Sequence, residues 1–468
     1  MKALIIGDEG PTHAVAWKLA QSPAATTMFA APGNYGTNLV GANLAIPPTD
    51  PEALAAWAKE QEISLTAVVS PLAMAYGVVD AFRASGLRVF GPTQAAARLV
   101  TNRSWAKGLL ARHGIATAPA HLFASPEEAA RHVEELRPEA FPLLLTPEEP
   151  TGSGRSRLAG DQSSALFILG MLTARRGPTT QLLVESYRPG PSVTLLVVAD
   201  GLTTLPIGVA HVDWRAYDGE KGPHTEGMGA YAPVPGLDPG FSARALDRVV
   251  RPLLAAMDAE EAPFSGILSL DLDPESLEVR GIGPGLGDLA AQVLLPLWED
   301  DLYIVMDAAI DRELSELRPF RFGQSSACAV VAASEGYPGE SETGYGILGL
   351  GEVGSGAQVF HIGSRNPYRR ETDLLIPKQE RDARSGLARG FSSWIMPSRG
   401  RSKQVDSQAS RAGGDPYSRV VTGGGRVLAV VGKGRTPAEA RATAYRGIEA
   451  VSFTGAWARR DIGSAPRT

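Results

Sequence analysis

Residues Gly222 to Pro233 read GPHTEGMGAYAP, and the rest of the chain arranges itself around them. Gly222, Gly227 and Gly229 fall within eight positions, with His224 and Thr225 between them. Glycine permits tight backbone dihedrals, and its missing side chain lets main-chain N–H groups approach oxygen atoms. The stretch therefore predicts a loop that meets an anionic, phosphate-bearing ligand. On glycine content alone, an ordinary turn is the competing reading.

Upstream, residues 1–100 alternate short β-type runs with helical patterns. ALIIG (3–7), TMFAAPG (27–33), TAVVS (66–70) and LRVFG (87–91) read as strands; HAVAWKLAQ (13–21) and PEALAAWAKEQ (51–61) read as helices. This βαβ rhythm predicts a doubly wound parallel sheet. Ligands bind such sheets beyond the carboxyl ends of the strands, which gathers GDEGPTHA (7–14), APGNYGT (31–37) and SPLAMAYG (70–77) around one cleft.

Composition narrows the function classes. The 468 residues carry a formal net charge of −6, which argues against a nucleic-acid binder. The single cysteine, Cys328, excludes an intrachain disulfide and reads as a packed strand residue in ACAVVAA. No run is long and apolar enough for a membrane span, and MKALIIGDEG reads as a first strand rather than a secretion signal, so a cytoplasmic protein is expected. Residues 365–419 hold twelve Lys/Arg against six Asp/Glu and read as a basic surface insert, with FSSWIMP (391–397) its apolar part. A protein partner could dock there.

GPHTEGMGAYAP closely resembles the GPNTGGMGAYSP signature of phosphoribosylamine–glycine ligases, a family of ATP-grasp enzymes in purine synthesis. APGNYGT, the ARHGI helix end in 91–120, SEGYPGE (334–340), VTGGGRVL (421–428) and ARRDIG (458–463) resemble further family motifs in family order. The resemblance implies an α/β and α+β multidomain ATP-grasp fold. Its parts would be a substrate-type domain (1–100), a central domain (101–120 plus 191–324), a lid (121–190) and a C-terminal α+β domain (325–468). It implies ATP as cofactor, and phosphoribosylamine and glycine joined through an acyl phosphate. Carried over, it places substrate at Gly7, Gly10, Asn34, Gly36 and Thr37. The nucleotide falls at Arg103, Glu185, Gly222, Gly227 and Gly229, and the candidate catalytic residues are Arg215, Thr225, Asp288 and Arg426.

Several family positions have changed. Pro11 and Thr12 replace arginine and glutamate, Asn102 and Arg103 replace Ser-Lys, and Thr146 replaces a nucleotide-binding lysine. Glu148 and Glu149 follow at the mouth of the phosphate site, where a like-charge pair at about 4 Å costs on the order of 4 kcal/mol. Gly152, Ser153, Gly154, Arg155 and Arg157 could form a phosphate loop downstream, or a solvated loop. Val212, Asp213 and Trp214 stand for Asp-His-Lys, and His224 and Glu226 for Asn and Gly.

The metal ligands differ most. Mg²⁺ needs hard oxygen ligands, and the family's Glu-x-Asn positions are Gly281 and Gly283. A four-residue turn would pair Asp273 with Glu278 and Asp271 with Arg280, placing both acids on the face opposite Gly281. Metal binding is therefore expected to be lost. The residues favour a degenerate member of the family that binds a nucleotide or sugar phosphate. An active ligase with altered ligands, a different ATP-dependent ligation and a non-catalytic scaffold stay open.

Overall fold

The described residues of the computed structural model are 1–148, 156–283, 285–366 and 420–464. The phosphate-loop candidates Gly152, Ser153, Gly154 and Arg155, together with Glu149 and most of the basic insert (367–419), lie outside them.

Five apolar runs of the first hundred residues form one parallel sheet. They are β1 (Lys2–Gly7), β2 (Thr27–Pro32), β3 (Ala42–Asn43), β4 (Leu65–Val68) and β5 (Val89–Phe90), in the order β3-β2-β1-β4-β5. β1 is central because its LIIG run is buried; polar residues there would have no water to meet on either side. Strand order reverses about β1, and the loop into the helix Gly10–Leu19 opens there.

The segment from 120 to 186 is a smaller antiparallel unit: β6 (Ala120–Phe123), β7 (Leu143–Pro147), β8 (Arg157–Ala159) and β9 (Leu182–Ser186), in the order β6-β9-β7-β8. Helices Pro126–Glu135 and Gln162–Arg176 supply Val133, Leu169 and Leu172 to its core.

The central sheet begins with β10 (Val193–Asp200), β11 (Thr204–Tyr217), β12 (Lys221–Ala232), β13 (Ser265–Leu272) and β14 (Val279–Gly283). It continues without a break through β15 (Ser326–Ser334), because β12 pairs with β15 from Gly229↔Val330 to Ala232↔Ala327. Beyond β15 come β16 (Ala357–His361) and β19 (Arg426–Gly434), giving the order β14-β13-β10-β11-β12-β15-β19-β16. A separate pair, β17 (Ser364–Arg365) and β18 (Val421–Thr422), and a short β20 (Ala456–Trp457) on β15 complete the strands. Cys328 is buried within β15, as its apolar surroundings imply. Among the described residues, no helix is long and apolar enough to cross a membrane.

Two local expectations are corrected. The signature 222–233 is not a loop: its residues to Ala232 form β12, with partners on both sides. Its glycines answer to packing, since a β-carbon on Gly227 would lie 2.8 Å from Leu289 Cδ1 and one on Gly229 would lie 2.4 Å from Ile462 Cγ2. The second correction is the β13–β14 register. Asp271 pairs with Gly281 and Leu272 with Val279, so Arg280 is an extra, bulged residue. A bulge of one residue inverts the facing predicted by simple alternation, and Asp271 shares the face of Gly281 rather than opposing it.

Candidate functional site

The parallel sheet, the antiparallel unit of 120–186 and the central sheet meet around a cleft of about 2210 Å³. Asp8, Glu9 and Gly10 line it from the parallel-sheet region, Arg157 and Glu185 from the antiparallel unit, and Asp271, Asp288 and Arg426 from the large sheet and its flanking helix.

At the lid side, Glu185 is the centre of a charge cluster. Its side chain is only 2% exposed and accepts from Arg103 Nε at 2.5 Å, while Lys107 Nζ lies 2.9 Å from its other oxygen. Burial alone would raise the Glu185 carboxyl, but Arg103 and then Lys107 hold it below its ordinary value. Both cations are thereby committed before any ligand arrives. Lys107 was not among the sequence candidates; its position four residues after Arg103 on the helix Arg103–Arg112, hence on the same face, was the available signal. Glu148 accepts from Ser104 N at 2.6 Å, so this carboxylate occupies an amide at the start of that helix. Thr146, in place of the expected lysine, is buried and bonded to Ser156 Oγ at 2.7 Å.

Gly281 and Gly283, where the sequence resemblance would place metal ligands, line the cleft without any side-chain ligand. Asp271 Oδ2 lies 3.1 Å from where a β-carbon on Gly281 would stand. Its other oxygen accepts from Thr194 Oγ1 at 2.6 Å, and burial raises its pKa to about 6. One carboxyl that resists ionisation is a poor substitute for a two-ligand set, and the described residues contain no group of three His, Cys, Asp or Glu side chains able to hold a metal. The residues present do not fit a magnesium site.

Deeper in the cleft, Arg426 is buried and pairs with Asp288 at 2.5 Å and with Glu226 at 3.1 Å, while Nη1 also donates to the Glu226 carbonyl at 2.8 Å. Burial opposes the arginine's charge, but Asp288 and Glu226 more than offset it. Asp288 is raised, first by burial, and accepts from Gln292 Nε2 at 2.8 Å. Glu9 faces the same group and is raised to about 7, first by desolvation and then by Asp288, Asp8 and Glu226. Nearby, Trp214 and His224 stack at an interplanar angle of 9°, and desolvation followed by Arg215 lowers His224 to about 4. Arg215 Nη1 donates to the Gly222 carbonyl at 2.9 Å, and Thr225 Oγ1 to the Trp214 carbonyl at 2.8 Å.

The remaining sequence candidates divide. Gly10 lines the cleft, and a β-carbon there would meet Asp288 Oδ1 at 2.6 Å. Gly7, Asn34, Gly36 and Thr37 serve the scaffold beside it. Asn34 Nδ2 donates to the Asp8, Glu9 and His361 carbonyls at 3.0, 3.1 and 3.2 Å. Thr37 Oγ1 is bonded to Asn43 Oδ1 at 2.8 Å, and Gly36 makes room for the His13 ring. Of the phosphate-contact glycines, Gly222 lines the cleft, whereas Gly227 and Gly229 pack inside the sheet.

Comparison with known proteins decides the family. The phosphoribosylglycinamide synthetase N domain matches residues 1–99, its ATP-grasp (A) domain residues 101–273, and its C domain residues 395–465. The chain belongs to the phosphoribosylglycinamide synthetase family. It is 32% identical to the phosphoribosylamine–glycine ligase of Rhodopirellula baltica, over 98% of this chain and 96% of that one. It is 33% identical to the trifunctional purine biosynthetic protein adenosine-3 of Gallus gallus, over 99% of this chain and 42% of that longer one. The crystal structure of the Thermotoga maritima phosphoribosylamine–glycine ligase has the same fold, with a TM-score of 0.72 at 22% identity over 98% of this chain and 100% of that one.

Within the phosphoribosylglycinamide synthetase family fold, this chain's cleft is rich in charge of both signs. The cleft lining holds twelve carboxylates against nine Lys/Arg. Glu226 stands where the family signature GPNTGGMGAYSP carries glycine, and it converges with Asp288 on the buried Arg426.

Proposed function

We propose that this protein is a phosphoribosylglycinamide synthetase relative in which the metal-supported step, phosphorylation of the glycine carboxylate by ATP, has been lost or severely weakened. The observation that carries this reading is the pair Gly281 and Gly283, with Asp271 on their face and Thr194 bonded to it. Phosphoryl transfer depends almost wholly on positioning and on neutralising charge. Here Arg103 and Lys107 already answer to Glu185, and Arg426 to Asp288 and Glu226. What the cleft keeps is a lid, an enclosed volume and a scaffold for a small ligand such as a nucleotide or sugar phosphate, in a cytoplasmic setting.

One observation favours a second reading, a slow ligase with altered ligands. The bulge at Arg280 brings Asp271 to the face where the metal belongs, and Mg²⁺ in phosphate sites is sometimes held by a single carboxylate, with waters and phosphate oxygens completing its shell. Complementation separates the two. Expression in a purine auxotroph lacking the ligase is expected to leave it auxotrophic, and growth without purine would establish the slow ligase. Calorimetric titration of ATP, with and without magnesium, is expected to show no gain from the metal.

A further inference from the structure

The large sheet has a second face, and part of the cleft reaches it. On β11, Val212 joins the core shared with Leu289 of the helix Asp288–Leu294. Side chains alternate along a strand, so His211 and Asp213 look the other way. Tyr231 lies directly across from His211 on β12, with ring centroids 4.9 Å apart. Ser192, residues 234–237 and Arg459 also line the cleft.

Asp213 is 8% exposed, and its Oδ2 is buried without a hydrogen-bond partner. The neighbouring donors are already engaged. Arg459 gives Nη1 to the Arg215 carbonyl at 2.9 Å, Nε to Asp461 at 2.9 Å and Nη2 to Glu220 at 2.7 Å, and it reaches Asp213 Oδ1 at only 3.6 Å. His211 Nδ1 meets the Ser192 carbonyl at 3.1 Å, and its Nε2 is 3.6 Å from the same Oδ1. A buried carboxylate oxygen without a donor is costly, and such a group calls for an explanation.

We infer that this end of the cleft, on the face of the sheet opposite Val212, is a second binding site in which Asp213 takes the N–H of a small organic ammonium ion. Three carboxylates, Asp213, Glu220 and Asp461, surround Arg459 there, so an added cation improves the charge balance, whereas an anion finds no uncommitted guanidinium. The site is separate from Gly281 and does not depend on whether ligase activity survives.

The probes are ethylammonium and ethanolamine, titrated calorimetrically into the full-length protein and into Asp213→Asn, whose carboxamide keeps the shape and removes the charge. Saturable binding to wild type, weakened about tenfold or more in the variant, is expected for a charged hydrogen bond. Crystals of wild type soaked in ethylammonium provide a measurement that does not need the variant to fold, and should place the nitrogen on Asp213 Oδ2. Equal affinity in the two proteins, no saturable binding to wild type, or an ordered water alone on Oδ2 in soaked crystals overturns the inference.

Discussion

Asp271 lies beneath Gly281, its Oδ2 3.1 Å from where a glutamate's β-carbon would begin. A glutamate at 281 would be crowded by Asp271, and the pair would place two buried carboxylates at one point, which low dielectric penalises strongly.

Rebuilding the metal site should accordingly need three changes. Neither Gly281 nor Gly283 has a positive φ, so the backbone accepts side chains at both. Gly281→Glu with Gly283→Asn is expected to gain little while Asp271 remains. Adding Asp271→Gly should make ATP binding magnesium-dependent, with affinity up about tenfold, or ~1.4 kcal/mol, by calorimetry. Equal gain in the double and triple variants would show that Asp271 does not obstruct the site.

Asp271 should also leave a mark on stability. Its folded pKa is raised from 3.8 to about 6, first by burial. Between those values the native state binds more protons than the unfolded chain, so the contribution of this residue falls as pH rises from 4 to 6. Asp271→Asn keeps an acceptor for Thr194 and is expected to be more stable than wild type at pH 7, by on the order of 1 kcal/mol. The advantage should vanish near pH 4 in urea melts.

Glu185→Gln strips Arg103 and Lys107 of their shared counter-charge. Leaving the buried Lys107 and the half-buried Arg103 without it costs up to about 3–5 kcal/mol, and a loss towards that size is expected in denaturant unfolding. The freed cations should at the same time bind tripolyphosphate more tightly than wild type does. A variant that loses stability without gaining anion affinity would mean that the cluster is structural only.

Where β16 meets the first domain, the His361 amide donates to His13 Nδ1 at 3.0 Å, which requires a neutral His13. Burial lowers His13 well below 6.5, with His361 adding to it, and burial lowers His361 to about 4. The sign is opposite to that of Asp271: this stability is complete above pH 6.5 and is lost as pH falls towards 4. Amide exchange along β16 should accelerate over that window in wild type, and much less in His13→Gln, which retains a side-chain acceptor.

The amino-acid sequence alone determined the framework and the chemical deficit. Period-two and period-3.6 apolar patterns are local, so β1, the helix Pro51–Glu60 and the buried β15 were readable from their own residues. Gly281 and Gly283 lack side-chain ligating atoms in any fold. Tertiary structure alone decided the facing of Asp271, because one bulged residue, Arg280, reverses alternation and leaves no compositional trace. It also decided that GPHTEGMGAYA is a strand, since its glycines are required by Leu289 and Ile462, side chains remote in sequence. The commitments of the cleft's cations were equally invisible: Glu226 meets Arg426 across 200 positions and Glu185 meets Arg103 across 82, and such pairings are set by packing, which sequence spacing does not encode.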